Sequence, residues 1–237
     1  MKKSRKTKID DKTDPSEPVM IGRSLGDRAK SFIKILLPPV FLLVRRKVRR
    51  VMGYPAAKRR LAGQTKLHLA CGHHIPSGWA NIDLQKHPSI IQWDLADPLP
   101  VASGTVEYIF CEAYIEHITL EQAGILLSEC HRLLKAGGVF RINTPCMEDT
   151  IRLYLSGDCT SQRDVGFNPA TPCQMVNEMF RSWDHRFIYD IKELSRLCRE
   201  AGYRRVTQVA WHKSTHPELR DLECRPFHNE IIIEATK

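Results

Sequence analysis

Gly72, Asp83, Asp94 and the pair Cys111-Glu112 are the residues whose types and places could hold a small ligand. Each follows or closes a short apolar run: KLHLA (66–70), WANIDL (79–84), SIIQWDL (89–95) and VEYIFC (106–111). Glycine lets a backbone approach a bound molecule closely. A carboxylate ending a second strand can accept both hydroxyls of a ribose, and one a strand further on can accept from an exocyclic amine. The plainer reading of both aspartates is turn formation, which their side chains also favour. Cys71, His73 and His74 are metal-capable types, but no fourth ligand is spaced for them, and no cysteine pair has a zinc-type spacing, so no metal is expected.

These residues act together only if the runs that carry them lie side by side. The four runs read as strands, the last entered from Ser103-Gly104. Leu120, Ala123, Leu126, Leu127, Cys130, Leu133 and Leu134 then recur at helical spacing, and Lys135-Ala136-Gly137-Gly138 reads as a basic last turn with a glycine cap. VFRIN (139–143) is a fifth strand. A helix near 148–156, an irregular stretch at 157–187 and a helix from about Ile191 to Ala201 follow. RVTQVAW (205–211) and NEIIIEA (229–235), with no helix between them, close the chain as an antiparallel edge hairpin. Strands alternating with helices predict an α/β domain with a Rossmann-like, mostly parallel seven-stranded sheet flanked by helices. In such sheets ligands bind beyond the carboxyl ends of the strands, where the residues named above fall. The link between Gly72 and Trp79 is too short for a crossover helix.

The charge is divided unevenly. Residues 1–65 carry 18 Lys and Arg against 5 Asp and Glu, and residues 66–237 carry 18 against 22, so the formal +9 belongs to an N-terminal arm. A mildly acidic main domain argues against a nucleic-acid channel. We divide the chain into a disordered basic tail (1–24), a basic and apolar arm (25–63) and a catalytic-size domain (64–237). The run FIKILLPPVFLLV (32–44) is too short to span a bilayer and contains Pro38-Pro39. With Arg45, Arg46, Lys47, Arg49 and Arg50 behind it, the segment 32–60 is a candidate for lying on an anionic membrane surface. The alternative is packing against the main domain. No signal peptide is expected, and reduced thiols suit a cytoplasmic protein, peripheral at the inner face of a membrane on the first reading.

The segments KLHLACGHHIPSGWANIDL, DLADPLPVASGTVEYIFCEAYIEHI and ECHRLLKAGGVFRINTP, taken in order, resemble class I S-adenosylmethionine-dependent methyltransferases. The likeness is greatest to a subgroup with a G-W-x-N-x-D segment after the first glycine loop, an E-H pair after the fourth strand and an R-x-L-K-x-G-G turn before the fifth. The resemblance implies that Leu69, Ala70, Cys71 and Gly72 pass under the methionine part of S-adenosylmethionine. It implies that Asp83 takes the ribose hydroxyls with Leu84 against the adenine, and that Asp94 and Leu95 sit by the adenine amine and ring. Cys111, Glu112 and His117 would line the methionine side and the mouth of the acceptor site. Ala70 departs from the family glycine, and the later loop glycines are missing.

A hydroxyl acceptor should be given a base. The candidates are His185 in DHRFIYD, which resembles a subgroup position, together with His117, His216 and Glu223; His185 and His117 are the two selected as catalytic. The stretch 157–187, with Arg163, Arg181, Trp183 and Asp184, is the expected acceptor lid. CEAY after the fourth strand is not the Asn/Asp-Pro-Pro-aromatic motif of nucleic-acid amine methylation. The expected activity is therefore O-methylation of a small-molecule, glycan or lipid-linked acceptor. The rivals are a scaffold that has lost turnover and a nucleic-acid enzyme using the basic arm.

Overall fold

The computed structural model describes residues 39–159, 168–225 and 230–237. Seven strands form one sheet: β1 (Lys66–Leu69), β2 (Ala80–Asp83), β3 (Ile91–Gln92), β4 (Val106–Glu112), β5 (Leu134–Pro145), β6 (Arg205–Gln208) and β7 (Glu230–Thr236). Their order is β3-β2-β1-β4-β5-β7-β6. Strands β3, β2, β1, β4 and β5 are parallel. Strand β7 runs antiparallel between β5 and β6, so the closing pair lies at the sheet's end with β6 outermost.

Helix α1 (Pro39–Leu61) opens on Pro39, whose missing N–H costs nothing at a helix start. The compact unit that contains the sheet begins within it, at Val48. Ala57 and Leu61 join the core formed by Leu67, Ile82, Ile91 and Trp93. Arg60 donates to the carbonyls of Ile90 (2.7 Å) and Pro88 (3.0 Å). The end of this helix thus lies against strands whose connections, 70–79 and 84–90, contain no helix. The tail 1–24 and residues 25–38 of the arm lie outside the described residues.

Helix α2 (Leu120–Leu133) starts in a capping box between Thr119 and Gln122 and buries Ala123, Leu126, Leu127, Cys130 and Leu133. The expected glycine cap at 135–138 is instead the entrance to β5. The register with β4 shifts between Val106 and Tyr108, and Gly137 has φ +75°. A Cβ on Gly138 would stand 3.0 Å from the Lys135 carbonyl and 3.1 Å from that of Glu107. Those glycines serve a bulge that lets the strand close on its neighbour.

Helices α3 (Met147–Ser156) and α4 (Pro172–Arg181) flank residues that lie outside the description, and α5 (Ile191–Glu200) packs Leu194, Leu197 and Cys198 into the core. Helix α4 falls within the stretch expected to be irregular. Thr171 caps it by accepting from Gln174 N, Pro172 opens it, and Met175 and Met179 form its buried stripe.

On the opposite face of the sheet, the segment 209–225 takes the place of a helix. Leu219 and Leu222 pack there with Phe110 and Val139. The segment is held by a buried ion triad. Arg141 on β5 donates to Glu223 (2.5 Å), to Glu234 (2.6 Å), its cross-strand partner on β7, and to the Lys213 carbonyl (2.9 Å). Buried ions survive only when paired and hydrogen-bonded in this way.

Candidate active site

The carboxyl ends of β1, β2 and β4 meet around Gly72. Strand β1 ends on buried Leu69, and the chain then turns through Ala70 at φ +52° and Gly72 at φ +55°. The left-handed backbone at Ala70 is one that glycine adopts freely and alanine does not. The amide of Gly72 donates to Asp83 Oδ2 at 3.0 Å, and the Gln85 amide donates to Oδ1 at 2.9 Å. Each carboxylate oxygen keeps a further lone pair. Asp94 Oδ1 accepts from the Ala96 amide at 3.0 Å. Both aspartates therefore make the turn contacts that their plainer reading predicts, and Asp83 in addition pins the glycine loop.

The G-W-x-N-x-D segment has a local physical basis. Asn81 donates to the carbonyls of Pro76 and Trp79, both at 3.2 Å, which fixes the link that replaces a crossover helix. Its Oδ1 lies 3.3 Å from His68 Nδ1. Since the Asn81 amide nitrogen is spent as a donor, His68 carries its proton on Nδ1. Burial pushes the His68 pKa down to about 3, with the charge of nearby His74 adding to the effect. Trp79 lies edge-on to Phe110 and under the Lys66 ammonium.

Glu112, buried at the end of β4, holds the segment that follows the ion triad. Its Oε1 accepts from the amides of Cys224 (3.1 Å) and Arg225 (3.2 Å) and from Asn143 Nδ2 (3.3 Å), and its Oε2 accepts from Cys224 Sγ (3.2 Å). Arg225 is thereby carried over the glycine loop. A Cβ on residue 72 would stand 3.3 Å from Arg225 Nη2, and Nη1 lies 3.5 Å from the Ala113 carbonyl. A guanidinium, a glycine backbone and the Asp83 carboxylate thus line one stretch of the site.

A second group lies just beyond β4. Glu116 and His117 sit on a single 3₁₀ turn (Ile115–His117), and Glu116 is buried. Its Oε2 accepts from Thr144 Oγ1 at 2.9 Å, and burial pushes its pKa up to about 7. The rings of His117 and His185 meet edge to face, with centroids 4.8 Å apart. His185 follows Trp183 (φ +59°) and Asp184 (φ +62°), two consecutive left-handed residues. Its Nδ1 donates to the Met179 carbonyl at 2.6 Å, which leaves Nε2 with a lone pair. Burial lowers the His117 pKa to about 4, and it also lowers that of His185.

The sequence-selected residues divide three ways. Gly72, Asp83, Glu112, His117 and His185 have polar groups at the site. Ala70, Asp94 and Leu95 lie in the loops that end β1 and β3, and Leu84 is exposed beside Asp83. Leu69, Cys71 and Cys111 are buried, and Leu69 and Cys111 belong to the core. Glu223 is committed to Arg141, and His216 packs on Tyr108 with ring centroids 5.6 Å apart, so neither joins the His117–His185 group. Arg163 lies outside the described residues. Arg225 and Asn143 were not singled out from the sequence, and Glu116 only as a member of the E-H pair. No periodicity marks them, since each reaches the site through a contact distant in the chain.

A mostly parallel seven-stranded sheet with β7 antiparallel between β5 and β6 has the Rossmann-like strand order of the methyltransferase fold. The model of the methyltransferase domain family matches residues 70–142, from the glycine loop to β5. No curated protein matches the chain. Among solved structures, an S-adenosylmethionine-dependent methyltransferase of Archaeoglobus fulgidus is similar at 14% identity and TM-score 0.46, over 83% of this chain and 99% of that one. One from Thermotoga maritima, described as a possible histamine N-methyltransferase, gives 16% and 0.45 over 82% and 96%. An O-methyltransferase family protein of Burkholderia thailandensis gives 12% and 0.45 over 80% and 56%.

Proposed function

We propose that the chain transfers the methyl group of S-adenosylmethionine to a hydroxyl of a small molecule or glycan. The observation that carries the reading is the convergence at Gly72. The Asp83 carboxylate is hydrogen-bonded to its amide and the Arg225 guanidinium lies over its Cα. These are complementary to the ribose hydroxyls and the carboxylate of that molecule. Leu84 and Leu95 offer apolar contact for the adenine. When bound, S-adenosylmethionine supplies an electrophilic methyl on a sulfonium whose leaving group departs as a neutral thioether.

The chain's own task is then to hold both reactants in line and to receive the acceptor's proton. As the new C–O bond forms and the C–S bond breaks, the hydroxyl proton must leave. His117 and His185, both held neutral by burial, present nitrogen lone pairs beside Glu116 for that purpose. This favours an oxygen acceptor, since a neutral amine needs no base before attack. The test is transfer of labelled methyl to a panel of glycans and small hydroxylated acceptors. We expect a methylated ether that is lost with His185→Ala; transfer to amines alone would contradict the reading.

Helix α1 fits attachment to an anionic membrane surface. No helix among the described residues is long and apolar enough to cross a membrane. Val48, Val51 and Met52, three and four residues apart on one helix face, are 50%, 66% and 77% exposed, and Lys47, Lys58 and Arg59 are exposed on the same helix. Apolar burial and basic residues together drive such binding. Co-sedimentation with phosphatidylserine vesicles, but not with neutral ones, is the expected result; equal recovery with both would contradict it.

A further inference from the structure

Glu116, His117 and His185 are brought together from the turn after β4 and the segment after α4. The carboxylate oxygen and one ring nitrogen from each histidine lie within 4.8 Å of one another. Each side chain is oriented from behind. Thr144 Oγ1 donates to Glu116 Oε2 at 2.9 Å, His185 Nδ1 donates to the Met179 carbonyl at 2.6 Å, and the backbone of Trp183 bonds the His117 ring. A ligating histidine is commonly fixed as His185 is, by a carbonyl on its other ring nitrogen. The remaining atom is the informative one. Glu116 is 1% exposed, and among the described residues no other residue donates to its Oε1, although it lies 3.8 Å from His117 Nε2. A buried carboxylate oxygen without a donor is costly unless something positive meets it.

We propose that Glu116 Oε1, His117 Nε2 and His185 Nε2 bind a divalent first-row transition ion. Two imidazoles and one carboxylate suit Zn²⁺ and its neighbours, and three protein ligands leave a position open for a further oxygen. The inference deepens the methyltransferase reading. The open position takes the acceptor hydroxyl, the ion lowers its pKa, and its proton leaves to solvent before the oxygen attacks the methyl carbon. With the ion bound the histidine lone pairs are ligands, and their role as base belongs to the metal-free protein alone. The other ligand-like group, His74, Glu112 and Cys224, is different. Both oxygens of Glu112 already accept hydrogen bonds from Cys224, Arg225 or Asn143, so although His74 Nδ1 has no hydrogen-bond partner among the described residues, the carboxylate there offers no vacancy to a cation.

The test uses the full chain, treated with chelator and then titrated with Co²⁺ by visible absorption and with Zn²⁺ by equilibrium dialysis. One equivalent of each is expected per chain. Glu116→Gln and His185→Ala should each weaken binding at least about tenfold, on the scale of ligand-shell changes, while Cys224→Ala leaves it unchanged. Circular dichroism reports that each variant is folded, and S-adenosylhomocysteine affinity is measured separately without metal. No saturable binding, binding that survives both substitutions, or binding lost only with Cys224→Ala would overturn the proposal. S-adenosylhomocysteine binding with no metal binding removes the metal alone. Metal binding with no affinity for S-adenosylmethionine or its product supports the site and removes methyl transfer from it.

Discussion

The Gly72 amide donates to Asp83 Oδ2 at 3.0 Å, so the loop after β1 and the carboxylate that ends β2 are one hydrogen-bonded unit. The two features most expected to touch a nucleoside ligand therefore depend on each other. Asp83→Ala removes a charged acceptor and frees the loop at once. Loss of a hydrogen bond to a charged group costs about 1.5–3 kcal/mol, roughly ten- to hundredfold in affinity. Calorimetry with S-adenosylhomocysteine should show that loss; unchanged affinity would remove Asp83 from the cofactor map.

Arg225 should recognise only the amino-acid end of the ligand. Arg225→Ala is expected to weaken S-adenosylhomocysteine by about ten- to hundredfold, the scale of a charge-assisted pair. It should leave 5′-methylthioadenosine, which lacks the carboxylate, nearly unaffected. Equal losses for both molecules would show that the substitution disturbs the loop rather than a specific pair.

Ala70 holds a left-handed backbone at φ +52° where glycine would rest without strain. The conformation costs an alanine about 1–2 kcal/mol, partly offset by the greater freedom of glycine in the unfolded chain, about 0.4–1 kcal/mol. Ala70→Gly should therefore raise stability by up to about 1.6 kcal/mol in urea unfolding, and Ala70→Val should lower it. A glycine variant less stable than the natural chain would contradict the assignment of strain.

His68 should make the fold acid-sensitive. Its folded pKa is lowered from 6.5 to about 3, so below about pH 6.5 the unfolded chain takes up a proton that the folded chain refuses. Stability is then lost as pH falls, by about 1.4 kcal/mol per pH unit, or about 2 kcal/mol between pH 6.5 and 5. His68→Leu is destabilised at every pH, because Asn81 loses its partner, but its loss between pH 7 and 5 should be smaller by about that amount. Equal pH dependence in the two proteins would show that His68 does not remain neutral.

Much of the sheet was legible because its strands are short apolar runs ending on glycine or a carboxylate, and a parallel sheet collects such ends on one edge. Gly72 and Asp83 were singled out for that reason, and the Glu116-His117 pair through the family resemblance. Three features could not be found the same way. Arg225 reaches Gly72 only because Arg141 pairs with Glu223 and Glu234 and so orders a segment without periodicity. His185 meets His117 across 68 residues of sequence, through a turn with two left-handed residues that composition does not announce. The place of β7 between β5 and β6 is a matter of pairing, on which hydrophobic alternation is silent. The glycines at 137 and 138 show the converse error, since a cap and a bulge ask for the same residue.

Calorimetric titration of S-adenosylmethionine and S-adenosylhomocysteine into the full chain should show saturable binding of one molecule per chain in the micromolar range for both. A chain shown to be folded by circular dichroism that binds neither would contradict the proposed function, leaving a methyltransferase fold without methyl transfer.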